Sequence, residues 1–384
     1  MASGYMRRRK QSFTNTVYSA SGELLTVTGE WKEHFEDLLN PTIMSSEEEE
    51  DLEADSTITL SESLRWLSSS SVMQNLSSVG PWLQVEGFLL SGGWSLVALV
   101  CFLLLFLVGL MANGSIAMAI ARDRALHTPM YLLFVQLTLS DVMLNLAVMP
   151  QVLVDLLRPP NHRVVHLSMC ILQAFLLHFG SILSYTILMT MAFDRYMAIC
   201  NPLRYTTIMS GRMLVLLTVL AWGGALLLVS ILIGPTLLLS RCRSIINGLY
   251  CTNASLFKLS CENTFLQNVL GLVITAVLLG GSICIMLFTY LRITVVCVGN
   301  QSSKLNKKAL QTCSTHLLVF LLLLISSLSV VGLQRVQGLV EERKVIAMLK
   351  DLLLAAFNPI IYGLQSKEVR RYLLSCSGSR THTQ

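Results

Sequence analysis

Apolar and polar positions divide this chain into two unlike parts. From Trp94 onward, long apolar runs alternate with short polar joints, at about 94–120, 130–157, 169–193, 212–238, 264–298, 309–333 and 345–362. Crossing a hydrocarbon core takes about 20 residues of helix, so each run is a candidate span, although Lys350 and Asp351 interrupt the seventh. A backbone in lipid must satisfy its own hydrogen bonds, and a barrel would need short alternating segments instead. The expected fold class is an all-α membrane protein, a seven-transmembrane helix bundle over residues 94–362 with its two ends on opposite sides.

Composition agrees. The chain is 53% hydrophobic and 13% charged, against about a quarter charged in soluble proteins. Residues 1–72 differ from the rest: they hold 13 acidic and 6 basic residues, whereas residues 73–384 hold 10 acidic and 22 basic. Arg7 to Lys10 are followed by no apolar core of leader length, so the start is not read as a secretory signal. The acidic run Glu47 to Asp51 and the serine clusters have the composition of disorder. Within this extension, "ELLTVTGEWKEHFEDLLNPT" (23–42) resembles wording between the endonuclease and reverse transcriptase of retrotransposon polyproteins. That resemblance implies a transposon-derived exon or a gene-model fusion. A start at Met73 would leave 312 residues and put the sequon Asn75-Leu76-Ser77 directly after it.

Orientation follows from charge and sulfur. With the C-terminus inside, 13 basic residues fall on cytoplasmic segments and the other 9 outside or within the seventh span, a mild positive-inside bias. Of ten cysteines, Cys101, Cys284 and Cys297 lie within spans, and Cys200, Cys313 and Cys376 face or border the cytosol. The remaining four, Cys170, Cys242, Cys251 and Cys261, share the opposite face. An even set on the oxidising side predicts two disulfides, with three connectivities open. Residues 73–93 then form an extracellular segment with Asn75 as a glycosylation site, and 363–384 a cytoplasmic tail with a short amphipathic helix.

Cys170 and Arg195 stand at opposite ends of the third span, 25 residues apart, or about 37 Å of helix. Arg195 therefore reaches the inner boundary, where an Arg needs an acidic neighbour or water; an interfacial anchor is the plain alternative. A Cys at the outer end of the third span, "DRY" at its inner end and "NPIIY" in the seventh together resemble the rhodopsin-like G-protein-coupled receptors. Further wording resembles the olfactory receptors: "HTPMYLLFVQLTLSDV" (127–142), "MAFDRYMAICNPLRY" (191–205), "KALQTCSTHLLVF" (308–320), "NPIIYGLQSKEVRR" (358–371) and the loop "CTNASLFKLSC" (251–261). The resemblance covers about residues 75–376.

What it implies can be assigned residue by residue. Asp194 holds Arg195 at rest, and activation frees the Arg for a G protein, with Tyr196 beside it. Asn358, Pro359 and Tyr362 form the inner hinge of the seventh span, Pro359 by removing a helical hydrogen bond. Tyr290 and His316 are the inner partners on the fifth and sixth spans; packing explains Tyr290 almost as well. Lys304, Lys307 and Lys308 serve the G-protein face or lipid headgroups. Asn113, Asp141, Asn358 and Ser184 form a polar core. It is either a water-filled cluster that holds sodium or a purely structural network around Asp141. Ser184 occupies a position where the family often has an acid, which puts sodium in doubt. Leu324 stands where an aromatic toggle is usual. For bridges the resemblance implies Cys170–Cys251 and Cys242–Cys261, and Asn253 is a second sequon crowded by Cys251.

The resemblance puts the ligand on the outer third to half of the third span, at Leu177, His178, Ser181 and Ile182, with packing the plain alternative for the lone His178. Asp351 lies seven residues before Asn358 and shares its inward stripe. Lys350 and Asp351 either pair with each other or meet a polar ligand. No nucleophile triad, HExxH or Walker loop is present, so no catalytic residues, metal or cofactor are expected and the chain is not read as an enzyme. The expectation is an odorant receptor in the plasma membrane. Its partners are a small-molecule odorant, a stimulatory heterotrimeric G protein and membrane lipid, with no nucleic acid. A peptide or amine receptor would share the switch motifs, and a transporter would need an internal repeat, which the sequence lacks.

Overall fold

The computed structural model describes residues 80–90, 93–299, 303–333, 336 and 338–365, with side chains omitted at 125, 303–310, 312, 340, 354 and 362–365. The extension 1–72, Asn75, the side chains of Lys304, Lys307, Lys308 and Tyr362, Cys376 and the expected tail helix all lie outside what is described.

Seven long helices follow one another: α1 (Trp94–Arg122), α2 (Pro129–Leu157), α3 (Leu167–Cys200), α4 (Gly211–Leu237), α5 (Phe265–Gly299), α6 (Ser303–Leu333) and α7 (Val340–Gln365). Among the described residues, six of these helices are long and apolar enough to cross a membrane. Composition sets α7 apart, because Glu341, Glu342, Arg343, Lys344, Lys350 and Asp351 fall within it. The helices start where the sequence can cap them. Pro129 opens α2 at a position whose N–H has no helical partner anyway, and the Ser210 hydroxyl accepts from Met213 N to open α4. A short helix, Pro202–Ile208, joins α3 to α4, and another, Asn253–Phe257, starts on a capping box between Thr252 and Ser255.

Neighbours in sequence pack in space, α7 closes back on α1 and α2, and α3 touches α2, α4, α5 and α6. That central place explains why α3 buries so many side chains, among them Leu183, Ile187 and Leu188. Leu104, Val219, Leu227 and Phe288 instead point outward, as apolar residues facing lipid do. Close approach needs small residues. A Cβ on Gly180 of α3 would lie 2.8 Å from Leu144 Cγ of α2.

Two boundaries differ from the hydropathy reading. The third span, expected at 169–193, runs on as α3 to Cys200, so Asp194 and Arg195 lie inside the helix rather than at its end. The seventh begins at Val340 instead of 345, because Lys344 is satisfied by protein and need not stay in water. A small sheet also covers one end of the bundle. Strand β1 (Trp82–Val85) lies between β2 (Val164–His166, antiparallel) and β3 (Ile245–Ile246, parallel). Leu83 and Val85 face inward and are fully buried, a period-two alternation too short to stand out from the sequence.

Candidate functional site

At the sheet end, Cys170 at the start of α3 is bonded to Cys251, and Cys242 to Cys261. The first bridge holds the α4–α5 loop against α3, and Cys251 N donates to Gln173 Oε1 at 2.7 Å. From this loop Tyr250 donates to Asp351 Oδ2 at 3.1 Å, while Asp351 Oδ1 pairs with Lys350 Nζ at 3.1 Å. Burial and the Asp351 carboxylate push the Tyr250 phenol well above its ordinary value, so it remains a donor. Asn253 N donates to His178 Nε2 at 3.2 Å, and the Asn253 side chain accepts from Thr236. The sequon asparagine is thus buried and bonded.

The segment leading into α1 forms a strap over this end. Phe88 inserts among Leu177, Val148, Met149, Leu249, Met348 and Leu352. Arg163 Nη1 donates to the Glu86 and Phe88 carbonyls at 2.8 and 2.9 Å. Lys344, 4% exposed, donates to Gly87 O at 2.9 Å and pairs with Glu341 at 2.7 Å and Glu86 at 3.2 Å. Gly87 turns with φ +68° at this contact, a conformation that favours glycine.

Below the strap a cavity runs along α7 from Lys350 and Asp351 to Asn358, with Asp141, Ser181 and Ser184 on its other walls. It has about 20 Å³ of room for the centres of water-sized molecules, enough for one or two waters. Asn358 Nδ2 donates to Asp141 Oδ2 at 2.8 Å, joining α7 to α2. Ser184 and Ser140 lie 3.0 Å apart, and both donate to the Gly180 carbonyl. Asn113 instead ties α1 to α7 by donating to Ala355 O at 2.7 Å. Of the α3 ligand candidates, Ser181 lines the cavity; Leu177 packs under Phe88, His178 meets the loop, and Ile182 is in the interhelical core. Among the described residues no cluster of three or more His, Cys, Asp or Glu is arranged for a metal.

At the opposite end Arg195 lies on Asp194, with Nε and Nη2 at 3.0 and 2.5 Å from Oδ2. Asp194 is fully buried, and its other oxygen accepts from Tyr205 OH at 2.8 Å. Burial, with the Asp194 carboxylate beside it, pushes the Tyr205 phenol up to about 12. Tyr196 packs its ring near Phe288 of α5. Tyr290 OH and His316 Nδ1 are 2.6 Å apart, bridging α5 and α6. Pro359 lies within α7 after Asn358. Leu324 is buried in the core, and next to it Tyr185 of α3 donates to Leu323 O at 3.2 Å.

Tyr205, Tyr185, Phe88, Arg163 and Lys344 do not stand out in the sequence. Each of the last four acts on a residue far along the chain or on a backbone carbonyl, which no local pattern reveals. Tyr205 alone carries a signal, as a tyrosine beside a proline-capped joint that follows the charged pair.

A disulfide-tied sheet over seven helices, a cavity that joins a buried ion pair to the Asp141–Asn358 contact, and an Asp194–Arg195 pair at the other end define a heptahelical membrane receptor of rhodopsin type. The fold matches squid rhodopsin with a TM-score of 0.60 at 17% identity, covering 76% of this chain and 87% of that one. The olfactory receptor family model matches residues 101–376. Olfactory receptor 2A12 of Homo sapiens is 36% identical over 270 residues, 70% of this chain and 86% of that protein. Olfactory receptor 6E1 of Mus musculus is 34% identical over 272 residues, again 70% and 86%. The chain belongs to the olfactory receptor family. It is a multi-pass plasma-membrane receptor rather than an enzyme, of a family that answers small molecules through G proteins.

Proposed function

We propose that this chain binds an odorant in the sheet-end half of the bundle and drives nucleotide exchange on a stimulatory heterotrimeric G protein, raising cAMP. The sheet end faces outward and the Arg195 end faces the cytosol. Both disulfides lie at the sheet end, and disulfides persist on the oxidising side, which supports this orientation. One observation carries the reading. A single cavity touches both the Lys350–Asp351 pair and the Asp141–Asn358 contact, so a ligand at its upper end bears on the packing of α2, α3 and α7 together. Below that cavity Arg195 is held by Asp194, and release of this contact is the output step. To move a resting population from 1:99 to 99:1, the ligand must bind the active packing more tightly by about 5.5 kcal/mol.

The test is cAMP in cells displaying the receptor, across a panel of volatile and water-soluble molecules, with Arg195→Ala as control. A response lost in the variant at equal surface level is expected. One that survives the substitution removes Arg195 from the switch.

A further inference from the structure

We propose that Lys350 and Ser181 form the head-group site for a neutral small molecule with one carbonyl oxygen, and that the apolar wall below them takes its hydrocarbon chain. This rests on the odorant-receptor reading above and names the ligand class for that site. The polar groups on the cavity wall differ in what they have left to offer. Ser184 is bonded to Gly180 and Ser140, and Asn358 to Asp141. Each Asp351 oxygen already has a partner, Lys350 on one and Tyr250 on the other. Lys350 has Asp351 as its one partner among the described residues, whereas an ammonium carries three donors. The Ser181 hydroxyl, on the same cavity, has no hydrogen bond among the described residues. At the Lys350 end of the cavity the spare valence is therefore donor, and it calls for an acceptor, whereas Asp141 and Asn358 keep acceptor oxygens only at the other end.

Charge decides which acceptor. Lys350 and Asp351 are mostly buried, with side chains 16% and 6% exposed, and they already cancel each other. A carboxylate would add an uncompensated negative charge beside Asp351 in an apolar enclosure, at a large desolvation cost. An ammonium would meet the like charge of Lys350 and would find each Asp351 oxygen already partnered. A carbonyl oxygen accepts from Lys350 and Ser181 without changing the net charge. Below the pair, Leu137, Leu144, Leu188, Val319 and Leu323 line the way toward Asn358, about 10 Å along α7 from Asp351, which suits an unbranched chain. Since the cavity holds only water-sized molecules in this packing, the ligand enters by parting these side chains.

The experiment measures binding apart from signalling. Purified full-length receptor in micelles is titrated with 2-heptanone, heptane, heptylamine and heptanoate, and apparent affinity is taken from the concentration dependence of Tm. The expected result is stabilisation by 2-heptanone at concentrations at least 10-fold below those of the other three. Lys350→Met combined with Asp351→Asn keeps the site neutral and should weaken 2-heptanone about 10- to 100-fold, the loss of one charge-assisted hydrogen bond. Ser181→Ala, which disturbs no ion pair, should weaken it by a smaller factor. Equal stabilisation by heptane, stronger binding of the amine or acid, no stabilisation by any probe, or unchanged ketone affinity in both variants overturns the proposal. Ketone binding without cAMP would remove the G-protein reading and leave this one standing. A cAMP response to the ketone that is indifferent to Lys350 and Ser181 would do the reverse.

Discussion

Removing one oxygen atom at Tyr205 should raise the receptor's basal activity. Tyr205→Phe keeps the ring and deletes the hydrogen bond to Asp194 Oδ1, 2.8 Å in this structure. Asp194 is fully buried, so water does not simply replace the phenol. The phenol, pushed up to about 12, is protonated throughout the physiological range and donates in full. A hydrogen bond to a charged group contributes about 1.5–3 kcal/mol. If the bond belongs to the packing in which Asp194 holds Arg195, its loss favours the released state by about 10- to 150-fold. Starting from about 1% active receptor, within the usual range for a minor state, the active share rises to between about 10% and 60%. The assay is ligand-free cAMP accumulation at surface levels matched by antibody, with Arg195→Ala in the same background to show that the signal passes through the Arg. Basal cAMP equal to wild type at matched display would refute the reasoning, because the Tyr205 bond would then persist in both states.

Three further outcomes follow from the same geometry. Gly180→Ala puts a methyl 2.8 Å from Leu144 Cγ and should lower stability by about 1–3 kcal/mol, read as a fall in the Tm of the detergent-solubilised receptor. Lys344→Met leaves Gly87 O without its donor and Glu86 and Glu341 without their cation. At about 1–3 kcal/mol this should loosen the strap, seen as faster amide exchange at residues 82–88 with little change in α3. Asn253→Gln should leave the glycan-dependent gel mobility unchanged, since Asn253 is 3% exposed and bonded to Thr236; a lost band would show that the sequon is modified before the loop folds.

What the sequence by itself determined is what local pattern can carry. Apolar runs long enough to cross a bilayer mark six helices, and a shorter run interrupted by charges marks α7. Asp194 and Arg195 are neighbours in the chain, so their pairing needs no fold to bring them together. Four cysteines on one face imply bridges, but spacing leaves the connectivity open, and only the position of Cys251 over the start of α3 decides it. The charges of α7 show the same division. Sequence marks Lys350 and Asp351 as costly in a span and leaves Lys344 just before it. The tertiary structure gives Lys344 to the strap, and Lys350 and Asp351 to a cavity that reaches Asn358. The strap and the Tyr185 bond to Leu323 were decided by tertiary structure alone. They join residues up to hundreds of positions apart, or bind a backbone carbonyl that every residue possesses, and neither leaves a period or a motif to read.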